Sequence, residues 1–226
     1  MKTFIFCTSY FDSAETYQKR YQKWIDYYRD HDFTNDKEIF IVDDASDLDC
    51  MTDENVDVMQ MDQIGNKTEL NKVTLYTTNE RKAVPGKTPA NSEGWWRSFN
   101  MSLKIAQEYD YEKIVHIESD AYLISRRVFD YIDGLKSGWT AFWAPKYYFP
   151  ESSLQVICKD QFGIFEEFVD CGYQKLSTYG LAEKIIPFTH VEKKFLGDRY
   201  GETVRDQFKG LDYFCQADEE TIITPE

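Results

Sequence analysis

Ile114-Val115-His116-Ile117-Glu118-Ser119-Asp120 decides how this chain is read. A hydrophobic run of strand length delivers two carboxylates, two positions apart, at its carboxyl end. In extended backbone, positions i and i+2 share a face, so Glu118 and Asp120 can point to the same place. Converging carboxylates repel each other, and a hard cation removes that cost. Mg2+ or Mn2+ suits such a pair, because either takes oxygen ligands, uses one or two carboxylates and leaves room for phosphate oxygens. A loop or helix cap would use the same residue types.

Upstream, Ile39-Phe40-Ile41-Val42-Asp43-Asp44-Ala45-Ser46-Asp47 repeats the pattern, a buried strand ending in carboxylates. In open α/β sheets the ligand sits beyond the carboxyl ends of the strands. Asp43 and Asp44 could there accept hydrogen bonds from a ribose hydroxyl or a base N–H. The alternative is a solvated turn, for which Asp, Ala and Ser are good residues.

Around these two segments, strands and helices alternate, which predicts an α/β fold with a mostly parallel sheet. Strands are expected at Thr3–Ser9, Lys37–Val42, Val56–Met61, Lys72–Thr77, Lys113–Ile117, Trp139–Ala144, Leu154–Ile157 and Lys184–Phe188. A first helix, capped by Asp12 with Glu15 three residues on, carries Tyr17, Tyr21, Trp24 and Tyr28 on one face. A second, capped by Ser92, carries Trp96, Phe99, Leu103 and Ala106. A third starts after Ser125, with Val128, Ile132 and Leu135 inward, and a fourth spans Gln161–Val169. The polar stretch Thr78–Glu93, with Pro85, Gly86 and Pro89, reads as a long loop. Beyond Thr189 the chain reads as a charged, irregular tail.

Length fits one full-sized domain, 1–226, and a hydrophobic content of 42% supplies its core. Forty acidic against 26 basic residues give a net charge of −14, which repels phosphate backbones and argues against nucleic acid as the main partner. A diphosphate ligand would need Arg, Lys or a cation to help it. The five cysteines are widely spaced, odd in number and without a C-x-x-C, so neither a zinc framework nor a disulfide set is expected. The first residues make too short an apolar stretch for a leader, and no integral membrane segment is expected. A cytoplasmic location is the expectation.

Phe4–Tyr10, Val42–Asp47 and Val115–Asp120, in that order with helices between them, make the chain resemble the GT-A class of nucleotide-sugar-dependent glycosyltransferases. The match covers roughly the first 145 residues. It implies a single Rossmann-like GT-A domain, with 1–145 binding the nucleotide-sugar and 146–226 forming the acceptor part and a closing tail. The resemblance implies that Thr8, Ser9 and Tyr10 line the base pocket and that Asp44, with Asp43, contacts base or ribose. Glu118 would lie on the ribose side and Asp120 would be the direct ligand of Mn2+ or Mg2+, in a variant of the Asp-x-Asp motif with Glu first. Such chains take a third ligand from a late His. His31 follows the first helix, His116 packs inside a strand, and His190 opens the tail, so His190 is the candidate. Arg97, one turn into the second helix, and Lys193, Lys194 and Arg199 would face the donor's diphosphate. For the general base of an inverting transfer, Glu151 and Asp160 both qualify. The donor would be a uridine diphosphate sugar, and the acceptor a glycan, a lipid-linked sugar or another small molecule.

Two other readings use the same residues. A receiver-type signalling domain also holds Mg2+ on strand-end carboxylates, but here the acidic pair follows a preceding strand and helix in a far longer chain. A non-catalytic nucleotide-binding module would keep the pocket without the chemistry. A nucleotidylyltransferase fails, since Thr8-Ser9-Tyr10-Phe11-Asp12 lacks the glycines of its phosphate loop.

Overall fold

The computed structural model describes residues 1–66, 70–82, 92–145, 147–199 and 210–218. Its first strand, β1 (Thr3–Ser9), is buried at all seven positions, the pattern of a strand covered on both faces. Side chains alternate as the pleat requires: Ile5 and Cys7 enter one core, Phe4 and Phe6 the other. β2 (Glu38–Asp43) repeats this, with Ile39 and Ile41 on the first side and Phe40 and Val42 on the second.

The first face is covered by a helical run of three parts: α1 (Ala14–Thr16), a π-helical segment Tyr17–Gln22 and α2 (Lys23–Arg29). Tyr17, Tyr21, Trp24 and Tyr28 are buried against the sheet, as their spacing predicts. The cap is Ser13, whose hydroxyl accepts from Thr16 N, rather than the expected Asp12. The cap therefore lies one residue later, and the N–H it satisfies is that of Thr16 rather than of Glu15. The second face is covered by α3 (Glu93–Glu108), whose Trp96, Phe99, Leu103 and Ala106 pack on Phe4, Phe6 and Phe40.

β3 (Asp57–Gln60), β4 (Val73–Thr77) and β5 (Lys113–Ile117) follow, then the two-residue β6 (Tyr122–Leu123) and α4 (Arg126–Gly134), with Ser125 at the cap position. Next come β7 (Trp139–Ala144) and β8 (Phe149–Cys158), then α5 (Phe162–Asp170), α6 (Tyr173–Leu176) and α7 (Ala182–Ile185). β9 (His190–Glu192), β10 (Gly197–Arg199) and β11 (Tyr213–Cys215) complete the described elements. The central sheet runs β3-β4-β2-β1-β5-β8-β7-β9, and a small sheet runs β10-β11-β6. In the central sheet β8 is antiparallel to both neighbours, and the other described pairings are parallel. The expected fold class, a mostly parallel central sheet flanked by helices, is the one observed.

Two expectations are corrected. Lys184–Phe188 is not a strand: Ala182–Ile185 closes a helical turn, and Pro187 has no N–H to donate to a ladder. Nor is the region after Thr189 irregular, because it contributes β9 to the central sheet and β10 and β11 to the small one. Those strands are three residues each; β9 and β11 take partners 50 and 90 positions away, Thr140 for His190 and Leu123 for Tyr213, and β10 then adds to β11, with Gly197 facing Tyr213. A local pattern does not register them. The expected loop Thr78–Glu93 lies in large part outside the described residues.

Candidate active site

The cleft forms where the sheet's topology requires it. Parallel β2, β1 and β5 end side by side, and antiparallel β8 brings its amino-terminal half to the same edge, with Leu154 paired to Ile117. From β2 to β8 is three strand spacings, about 14 Å. Along this edge lies a cavity of about 350 Å³, lined by Asp44 after β2, Thr8, Ser9 and Tyr10 from β1, Glu118 and Asp120 after β5, and Glu151, Ser152 and Ser153 from β8. Asp44 and Asp120 therefore share one cleft. Arg20, Trp95, Glu183 and Arg199 also line it.

Glu118 is buried and accepts from three side chains. Thr8 Oγ1 donates to it at 2.9 Å from both carboxylate oxygens, and Trp95 Nε1 and His116 Nε2 reach Oε1, the latter at 2.8 Å. The proton on that imidazole is fixed from behind. Trp139 Nε1 donates to Gln155 Oε1 at 2.7 Å, which turns the Gln155 amide nitrogen toward His116 Nδ1 at 3.2 Å. With Nδ1 accepting, Nε2 carries the hydrogen and aims it at Glu118. Burial alone would raise the Glu118 carboxyl, but the neighbouring imidazole and these hydrogen bonds outweigh it and hold it below the usual value.

Asp120 is about a fifth exposed, and it has a basic partner that the motif alone does not reveal. Arg20, on the π-helical segment, donates from Nε to Ser119 Oγ at 2.7 Å and from Nη2 to Asp120 Oδ2 at 2.9 Å. Burial raises the Asp120 carboxyl, with Arg20 opposing and Glu118 adding to the rise. A π turn is uncommon inside an α-helix and tends to mark sites where a side chain is re-aimed.

Asp43 and Asp44 divide the two roles offered to them. Asp43 is fully buried and accepts from Ser9 Oγ (2.7 Å), Thr77 Oγ1 (2.8 Å) and both the amide and the hydroxyl of Ser46. It ties β1, β2 and β4 together and is not part of the cleft wall. Asp44 does line the cleft, where it accepts from Arg97 and from the Lys82 amide at 3.1 Å. Arg97 faces Asp44, Glu80 O and Thr78 and is not among the residues lining the cavity. Tyr10 is held by a reciprocal pair with the Tyr21 hydroxyl, and the Arg81 guanidinium lies 3.3 Å above its ring.

The two general-base candidates part company. Glu151 sits in the cleft on β8, 1% exposed, with Ser153 donating from N (3.1 Å) and Oγ (2.8 Å) and Arg199 Nε at 3.4 Å. Burial pushes its carboxyl up, and Arg199 opposes. A bulge in the β7–β8 pairing, where Ala141 faces Gln155 and the next residue faces Glu151, sets Ser152 and Ser153 at the cleft. Asp160 follows the carboxyl end of β8. Because β8 is antiparallel, that end lies at the opposite edge of the sheet, where Asp160 accepts from the Gly138 amide at 3.0 Å. Asp160 closes a turn there.

His190 is the other displaced candidate. It is exposed on β9, the outermost strand, beside Glu192 at 3.7 Å, and is not among the cleft residues. Lys193 and Lys194 lie over the rings of Trp143 and Tyr131, away from the cavity wall. Of the basic residues assigned to the tail, Arg199 faces the cleft, between Glu151 and Glu183 (4.0 Å).

The donor set does not fit a divalent cation held by the protein. Glu118 Oε1 faces three donors and Oε2 shares the single Thr8 hydroxyl hydrogen, one Asp120 oxygen holds Arg20, His190 is elsewhere, and among the described residues no three His, Cys, Asp or Glu side chains converge for a metal. Arg20, Glu183 and the Ser152–Ser153 pair were missed in the sequence. A single Arg on a helix a hundred positions before the motif carries no signal of its own.

Fold and cleft define a mixed α/β protein that offers a ligand a row of carboxylates, hydroxyls and two guanidinium groups at the carboxyl ends of its strands. Among solved structures the chain is similar to a glycosyltransferase involved in the glycosylation of the major capsid of PBCV-1 (TM-score 0.48, 10% identity, covering 96% of this chain and 95% of that one). It is also similar to S. aureus TarS, as residues 1–349 in complex with UDP-GlcNAc (TM-score 0.48, 16% identity, 95% of this chain and 58% of that one) and as a longer chain (TM-score 0.46, 16% identity, 98% and 38%). No protein-family profile and no curated protein matches the sequence. With TM-scores below 0.5, the reading of function rests on the cleft's own residues. No helix among the described residues is long and apolar enough to cross a membrane.

Proposed function

We propose that the chain transfers a sugar from a nucleoside diphosphate donor, with uridine as the base, to a hydroxyl of a glycan or another small acceptor. The observation that carries this reading is the shared cleft: the carboxyl ends of β2, β1 and β5 and the amino half of β8 line one cavity from Asp44 to Glu151. The Tyr10 ring and Asp44 suit a base, by stacking and by accepting an N–H. The diphosphate lies over the middle, where Arg20 and the first turn of α3, at Gly94 and Trp95, face the cavity. Glu151 and Glu183 mark the acceptor end.

In the reaction, the bond from the anomeric carbon to the β-phosphate oxygen breaks and its electron pair leaves on the diphosphate. The acceptor oxygen forms the new bond to that carbon and gives its proton to Glu151. A carboxyl raised by burial is suited to hold that proton, and Arg199 keeps the ionised form accessible before the step. Ser153 fixes the carboxylate's direction with two hydrogen bonds.

The test is release of UDP from a panel of UDP-sugars, UDP-GlcNAc included, with and without candidate acceptors. Glu151→Gln should reduce turnover by roughly 100-fold or more while leaving UDP affinity near that of the parent protein. Equal loss of affinity and turnover would remove Glu151 from the base role. Absence of UDP binding in the parent protein would remove the proposal as a whole.

A further inference from the structure

We infer that Arg20 stands where the resembled enzymes place a divalent cation, so that the diphosphate is neutralised by fixed guanidinium groups and binding does not require metal. This rests on the nucleoside diphosphate reading above. It begins from the conflict between motif and structure. Glu118-Ser119-Asp120 has the charge pattern of a cation site, yet each member is already occupied by protein donors: Glu118 by Thr8, Trp95 and His116, Ser119 by Arg20 Nε, and Asp120 by Arg20 Nη2.

Arg20 is held for this task. Its two bonds engage one edge of the guanidinium, Nε and Nη2, and its side chain remains 39% exposed at the cavity wall. A planar guanidinium pinned on one edge can present the remaining N–H groups to a phosphate in a fixed direction, which a flexible Lys cannot do. The π-helical segment makes this possible: Tyr17 and Tyr21 stay buried while Arg20, between them in sequence, reaches across to the turn after β5. Arg199 supplies a second guanidinium on the same cavity, between two carboxylates. In a molecule of net charge −14, whose cavity is lined by Asp44, Glu118, Asp120, Glu151 and Glu183, guanidinium groups fixed at the wall offset part of the repulsion that a pyrophosphate would meet there.

Asp120 then acts on Arg20 rather than on a metal, as a positioning residue. Its removal should loosen the guanidinium, whereas a metal ligand's removal should abolish metal binding.

The experiment is calorimetric titration of UDP, with GDP and ADP for comparison, in chelator and in Mn2+, using the parent chain, Arg20→Met and Arg20→Lys. Manganese electron paramagnetic resonance of the free proteins runs in parallel, and thermal unfolding checks that each variant folds. The expected result is the same UDP affinity in chelator and in Mn2+, roughly tenfold or more weaker binding in Arg20→Met, and partial recovery in Arg20→Lys. Arg20→Met, with Asp120 freed, should also gain Mn2+ affinity over the parent. UDP binding that appears only when Mn2+ is added would overturn the inference and leave the nucleotide reading standing. Failure of every nucleoside diphosphate to bind under either condition would instead overturn the nucleotide reading, and this inference with it.

Discussion

At the scale of single residues, the adjacent Asp43 and Asp44 show how differently equal side chains can be used. Asp43 is a buried hub whose four donors come from Ser9, Thr77 and Ser46, so its loss strands hydroxyls in the core. Asp43→Ala should cost about 3 kcal/mol or more of stability, read from urea unfolding, because unpaired buried donors carry their full desolvation penalty. A change within about 0.5 kcal/mol, the range of an ordinary surface substitution, would contradict the hub. The sequence showed that both carboxylates end a strand. It could not show which one turns inward, since that depends on Thr77 arriving from β4 and on the turn at Ala45, whose φ is +63°. Glu118 behaves likewise: its charge was legible, but the donors that engage it come from β1, α3 and its own strand.

At the scale of elements, the alternation that predicted β1, β2, β5 and α3 comes from burial on both sides of a parallel sheet, a constraint that each strand meets with its own residues. The short strands β9, β10 and β11 have no such local signature, and the longest miss, Lys184–Phe188, is a helical turn before Pro187. The antiparallel direction of β8 in the central sheet was equally silent, though it shapes the candidate site: direction alone places Glu151 in the cleft and Asp160 at the opposite edge. β8 also carries Gln155, through which Trp139 sets the tautomer of His116. Gln155→Leu should release that ring and destabilise the protein by about 1–3 kcal/mol, since it leaves Trp139 Nε1 without its buried acceptor. Nitrogen-15 chemical shifts of His116 should show the Nε2–H form in the parent chain and a mixture in the variant; an unchanged tautomer would mean that Glu118 alone sets it.

At the scale of the whole molecule, acidity is both a burden on ligand binding and a source of pH dependence. Burial would raise the Asp53 carboxyl, but hydrogen bonds from Gln22 and Arg29 outweigh it and bring it from 3.8 to about 2. A carboxyl lowered on folding stabilises the protein above its unfolded value and loses that contribution as the pH falls through the folded one. The contribution should therefore vanish between about pH 4 and pH 2. Asp53→Asn should lose stability at neutral pH and show a flatter acid limb, as followed by thermal unfolding across that range. An acid limb identical to the parent's would assign the effect to other carboxylates.

If the cleft is the binding site, one ligand spans the sheet edge from Asp44 after β2 to Glu151 on β8. Hydrogen exchange of the backbone amides with and without UDP-sugar measures this most directly. The prediction is slowed exchange concentrated at Ser9–Phe11, Asp44–Ser46, Gly94–Trp95, Ser119–Ala121 and Glu151–Ser153. Protection confined to the opposite edge, around Gly138 and Asp160, or an exchange map unchanged by every nucleotide-sugar, would contradict it.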